Sequence, residues 1–144
     1  MISTDDALRR ARDYFETLSL ETAQGLDVLY TDDAWFKDPF NEVQGVPAIR
    51  HIFVHMFSQV DAPRFVVLEA VAQDGQAFIT WEFRFRMRRW RKGEQCIRGC
   101  SQLHFAADGR ICRHRDWWDA AEELYEKLPI LGSLMRGLKA LARS

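Results

Sequence analysis

The chain has 144 residues, 47% of them hydrophobic, and a formal net charge of −1. That is enough chain for one domain with its own core, and the composition excludes a disordered polymer. A charge near zero gives no global drive toward nucleic acid or anionic membrane, so any basic surface must be local. Three cysteines, Cys96, Cys100 and Cys112, form no CxxC pair, which argues against a disulfide scaffold and for a reducing, cytoplasmic setting. The start, MISTDDALRR, lacks the basic and apolar blocks of a signal peptide, and no apolar run is long enough for a transmembrane segment.

The first stretch, STDDALRRARDYFETL, spaces Ala7, Leu8, Ala11, Phe15 and Leu18 as one helical face, with Tyr14 on it. ETAQGLDVLY predicts a second short helix, and AWFKDP a short strand. GVPAIRHIFVHMF predicts a third helix opened by Pro47. The rest reads as strand. RFVVLEAVAQ ends at Asp74-Gly75, a hairpin signal. AFITWEFRFRMRRW alternates, with Trp81, Phe83, Phe85 and Met87 on one face and Glu82, Arg84, Arg86 and Arg88 on the other. QCIRGCSQLHF places Ile97, Ser101, Leu103 and Phe105 together, and ICRHRDWW follows a second Asp-Gly turn. The last stretch, from Asp119, is helical, with a capping box at Asp119 and Glu122 and a break near Pro129 and Gly132. Helices first and antiparallel strands later predict an α+β domain: a curved antiparallel sheet forming a cone-shaped open barrel, packed by N-terminal helices. One domain spans 1–144, with a core of about 4–119 and a helical extension over 120–144.

Several residues are candidates for chemistry. Asp38, in FKDPF, is either a turn carboxylate or a base among aromatic neighbours. In HRDWWD, alternation puts His114, Asp116 and Trp118 on one inward face. A buried His and Asp are costly unless paired or functional, and an exposed strand end or structural ion pair is the competing reading. Ser101 reads as a small core hydroxyl, since no G-x-S-x-G surrounds it. His51 and His55 have the spacing of a two-histidine metal face without the remaining ligands, so no metal is expected. RFRMRRWRK, Arg84 to Lys92, is basic, but reads as the charged outer face of a hairpin rather than a nucleic-acid patch. Leu124, Leu128, Leu131, Met135 and Leu138 give the tail an apolar face, with Arg136, Lys139 and Arg143 as a basic strip. Packing on the core or over the pocket mouth is expected there, with a dimer mate or a membrane surface as the alternatives.

The order helix, helix, YTDDAWFKDPF, helix, then long strands ending in DGRICRHRDWW resembles the nuclear transport factor 2-like superfamily, and within it the SnoaL-like and ketosteroid isomerase-like branches. The resemblance covers roughly residues 4 to 119. It implies a deep apolar pocket, a small hydrophobic ligand and a homodimer. It implies Asp38 at the general-base position, Tyr14 at the oxyanion-donor position and Trp118 in the pocket wall. The isomerase is itself a known worked case of a base Asp with a Tyr and a protonated Asp as donors. Ser101 stands where that protonated Asp would be, which departs from steroid isomerisation. His114 and Asp116 are closer to the SnoaL-like pattern, in which an Asp here is the acid/base.

Two readings follow. In the first, the chain is a cofactor-free isomerase, cyclase or lyase. Asp38 or Asp116 is its base, Tyr14 its oxyanion donor, His114 the partner of Asp116, and Trp35, Phe53, Trp81, Phe83, Ser101 and Trp118 line the pocket. In the second it is a non-catalytic ligand-binding or dimeric scaffold protein. Fold alone does not choose between them.

Overall fold

The structure is a computed structural model that describes residues 1–88, 93–123 and 131–143. Helix α1 (Thr4–Glu16) starts where the Ser3 hydroxyl accepts the Asp6 amide at 3.1 Å, and buries Ala7, Ala11 and Phe15. The expected second helix is a 3-10 segment, Thr22–Val28, broken by a non-helical Gly25. Strand β1 (Tyr30–Lys37) begins four residues earlier than the AWFKDP pattern suggests and pairs with a short β2 (Glu42–Gln44). Helix α2 (Val46–Ser58) follows, with Pro47 in its first turn and Val46, Ile49, Phe53 and Phe57 turned inward.

Four strands complete the sheet: β3 (Asp61–Gln73), β4 (Gln76–Arg86), β5 (Glu94–Phe105) and β6 (Ile111–Trp117). Asp74 and Gly75 both have positive φ, 52° and 80°, as a tight two-residue hairpin turn requires. Strand order is β2-β1-β6-β5-β4-β3. Among the described residues the sheet is six-stranded, curved and unclosed, and α1 and α2 pack against it. One pair refines the antiparallel expectation: β1 runs parallel to β6. A parallel pair cannot be joined by a hairpin, and here everything from β2 to β5 forms the connection. Register shifts in the β3–β4, β5–β6 and β1–β6 ladders supply the bends that curve the sheet.

Alternation on β4 and β5 holds as read. Trp81, Phe83, Phe85, Ile97, Ser101 and Leu103 are buried. Within the basic stretch, Arg84 pairs with Glu82 and Glu94, and Arg88 with Asp61; residues 89–92 lie outside the described residues. Helix α3 (Ala120–Glu123) is capped by Asp119, whose Oδ1 accepts the Glu122 amide at 3.1 Å. Helix α4 (Leu131–Ala142) differs from the expectation of core packing, because Leu134, Leu138 and Leu141 are exposed. Leu124 and Leu128 lie outside the described residues.

Gly99 sits directly opposite Trp81 in the β4–β5 ladder. A Cβ placed there would come within 2.5 Å of the indole ring. The bare backbone therefore lets Trp81 lie across β5. Gly99→Ala is expected to lower stability by about 1–3 kcal/mol, the usual cost of overpacking, with a change in tryptophan emission. Urea unfolding of the two proteins checks this.

Candidate active site

Cross-strand register builds the site. Ser101 lies opposite Asp116 in the β5–β6 ladder, and Leu103 lies opposite His114. Because Gly99 leaves room, the Trp81 indole reaches two residues along β5, and its Nε1–H donates to Ser101 Oγ at 2.8 Å. Ser101 in turn donates to Asp116 Oδ1. The same oxygen meets His114 Nε2 at 2.6 Å, and His114 Nδ1 meets the Tyr30 hydroxyl at 2.7 Å. Five side chains from four strands thus form one chain of hydrogen bonds under the sheet.

The imidazole tautomer follows from its partners. His114 is 2% exposed, and Phe15, Tyr30 and Phe36 surround its ring. Burial, with the nearby Asp116 charge and then Tyr14, holds the Tyr30 hydroxyl well above its ordinary value, so it keeps its proton. A neutral imidazole with its proton on Nε2 donates to Asp116 and accepts from Tyr30, which leaves no donor unmet. Every proton in the chain then points toward Asp116. The carboxylate enters only as an acceptor, with both bonds on Oδ1. Its Oδ2 carries no hydrogen bond to a described residue.

Asp116 is 16% exposed at its side chain and lines a graded set of spaces. Innermost is a void of about 20 Å³ among Phe15, Phe53, Phe65, Val67, Ile79, Trp81, Ser101 and His114. A neighbouring void of about 60 Å³ shares Phe53, Phe65, Trp81 and Asp116 with it, and adds Phe36, Asp38, Phe83 and Trp118. An outer cleft of about 450 Å³ continues from Asp38, Phe83 and Trp118 to Phe40, Met56, Phe85 and Met87, with His51 and His55 along α2. A wider cleft of about 470 Å³ reaches Asp116 from the side of Lys37 and Arg115.

The residues expected from sequence divide. Asp116, His114, Ser101, Phe53, Trp81, Phe83 and Trp118 come together. Asp38 lines the middle void and the outer cleft, but its carboxylate holds its own turn. Oδ1 accepts the amides of Phe40 and Asn41 at 2.8 and 2.7 Å, and the Asn41 side chain bonds both oxygens. Tyr14 is not among the lining residues, and its hydroxyl donates to the Thr22 carbonyl in the 3-10 segment. Burial and then Asp27 raise its pKa, with Arg50 opposing. Trp35 is also outside the lining, with Arg113 stacked on its ring at 3.9 Å and its Nε1 donating to Glu42. Tyr30, Phe36 and Phe65 were missed as site residues. Tyr30 does open YTDDAWFKDPF, but only the parallel β1–β6 pairing brings it to His114.

The SnoaL-like domain, as a protein family, matches residues 11–114. No curated protein matches. Solved structures share the fold. TsrD from Streptomyces laurentii aligns with a TM-score of 0.72 at 16% identity, over 92% of this chain and 99% of that one. An epoxide hydrolase from M. tuberculosis, described as LEH-like, aligns at 0.69 and 19%, over 96% of each chain. A SnoaL-like polyketide cyclase, so described for Jannaschia sp. CCS1, aligns at 0.69 and 11%, over 83% and 87%.

Two variants test the network. Ser101→Ala leaves the buried Trp81 N–H without its partner and is expected to cost about 1–3 kcal/mol in denaturant unfolding. The Tyr30 pKa is raised on folding, so its contribution is complete below the ordinary value of 10.0 and is lost as pH rises beyond it. Tyr30→Phe removes that titration. Its stability should therefore fall less steeply than that of the parent above about pH 10, as chemical unfolding across an alkaline pH series will show.

Proposed function

The chain belongs to the SnoaL-like domain family, and on that premise we propose that it binds a small hydrophobic molecule and moves a proton at one of its carbon atoms. The observation that carries this reading is the asymmetry of Asp116: Ser101 and His114 fix Oδ1, while Oδ2 is left for a ligand in an aromatic cavity. Oδ2 takes a proton from carbon, and the C–H electron pair moves into the substrate's own carbonyl or conjugated system. Return of that proton at another carbon is an isomerisation. Attack by the same electron pair within the substrate is a cyclisation.

His114 is a positioning residue. It holds the carboxylate in one orientation, and Tyr30 fixes its tautomer, so neither needs to touch the substrate. Asp38 braces the loop that carries Phe40 to the cleft wall, where Phe40 packs edge-on to Trp118 at 5.5 Å. On the aromatic side the spaces narrow toward Asp116, which favours a ligand with a slender reactive end and a broader apolar body.

The test is deuterium uptake. The protein is incubated in D2O with a panel of small hydrophobic carbonyl compounds, and exchange at carbon is followed by mass spectrometry. Asp116→Asn is expected to lower the exchange rate by about 10²–10⁴, the range for a general base, while Asp38→Asn retains most of it. Equal exchange by the parent and Asp116→Asn would sink the assignment.

A further inference from the structure

Helix α4 has no core among the described residues to lie on. Its described side chains from Leu134 to Ala142 are exposed, and its packing is against the short α3. A 12-residue helix is marginal in water on its own and ordinarily gains its stability from burying one face. Leu134, Leu138 and Leu141 fall four and three residues apart on one such face, and are 58%, 51% and 83% exposed. Leaving three leucines in water on one stripe is unfavourable, and something outside the described fold has to cover them.

Charge decides what. From Leu131 to Ser144 the sequence holds Arg136, Lys139 and Arg143 and no acidic residue, in a chain whose formal net charge is −1. Arg136 and Arg143 are exposed. Positive charge on the face opposite an apolar stripe is the pattern of a helix lying in the plane of an anionic lipid surface, with leucines in the acyl boundary and cations toward the headgroups. A partner protein's apolar groove would need the leucines but not the cations. Among the described residues no helix is long and apolar enough to cross a membrane, which fits a helix that lies on the surface. We propose that α4 is an interfacial anchor that docks this protein on anionic membrane. This inference is independent of the reading of the cavity.

Sedimentation of the full chain with large unilamellar vesicles tests it. One set is phosphatidylcholine alone, and the other is phosphatidylcholine mixed with phosphatidylserine, an anionic lipid of the cytoplasmic leaflet. Binding is expected to be at least about tenfold tighter to the anionic set at low salt, and to weaken as salt is raised. The triple variant Leu134→Ser, Leu138→Ser, Leu141→Ser should lose about tenfold or more, and Arg136→Gln with Arg143→Gln about fivefold per arginine. All five positions are exposed, so an unchanged thermal midpoint is expected to confirm that the variants fold. Equal binding to both vesicle sets, or full binding by the triple-serine variant, overturns the proposal. So does a parent that ignores vesicles and forms a dimer in light scattering that the triple-serine variant cannot form.

Discussion

A carboxylate placed under an aromatic sheet has to be met by donors, and the bonds that Asp116 receives from Ser101 and His114 are the interactions on which the rest of the site depends. They demand a small hydroxyl opposite Asp116 on β5 and an imidazole two residues before it on β6. The imidazole demands a group that fixes its second nitrogen, which is Tyr30. The serine demands space for the indole that donates to it, which is Gly99. Tyr30, His114 with Asp116, Ser101 and Trp81 stand on β1, β6, β5 and β4, and the order β1-β6-β5-β4 sets these strands side by side. In a low-dielectric interior a half-satisfied chain would be worse than an apolar core, whereas a completed one defines a single arrangement.

The same logic separates the two aspartates. Asp38 and Asp116 both border the middle void. Asp38 sits in FKDPF, where proline and the following asparagine build a turn that the carboxylate closes with its own oxygens. Asp116 has no such local turn to serve. Its partners come from 15 residues earlier in sequence and from its own strand. A carboxylate occupied by local amides holds backbone in place, and one anchored through a single oxygen can turn the other toward a ligand.

Much of this was legible in the sequence, and the boundary of legibility is physical. Period-two alternation on β4 and β5 revealed which side chains go inward, because burial on one face writes that period directly. It revealed Ser101 as an inward hydroxyl, and the same period on β6 put His114 and Asp116 on one inward face. It could not reveal that Tyr30 joins them, because parallel pairing of β1 with β6 leaves no hairpin signal and depends on contacts 84 residues apart. Tyr14 illustrates the converse. Its helical spacing put it on the apolar face, but its hydroxyl is drawn to Thr22 by the conformation of the 3-10 segment, which no periodicity encodes. The resemblance read from YTDDAWFKDPF gave the fold, and the family match over residues 11–114 agrees with it. Individual roles within that fold depended on side-chain geometry.

The interior and the tail point the same way. On the aromatic side the polar chain lies at the narrow end of the spaces, and Phe83, Phe85, Met56 and Met87 line the wide end. A ligand that satisfies both ends carries its functional group inward and its apolar body in the cleft. Such a molecule is poorly soluble in water, because the surface that the cleft would cover is the surface that water rejects. It concentrates instead at lipid interfaces. A protein that rests on an anionic surface through α4 would meet it there at high local concentration, which relieves the cavity of the need for high intrinsic affinity.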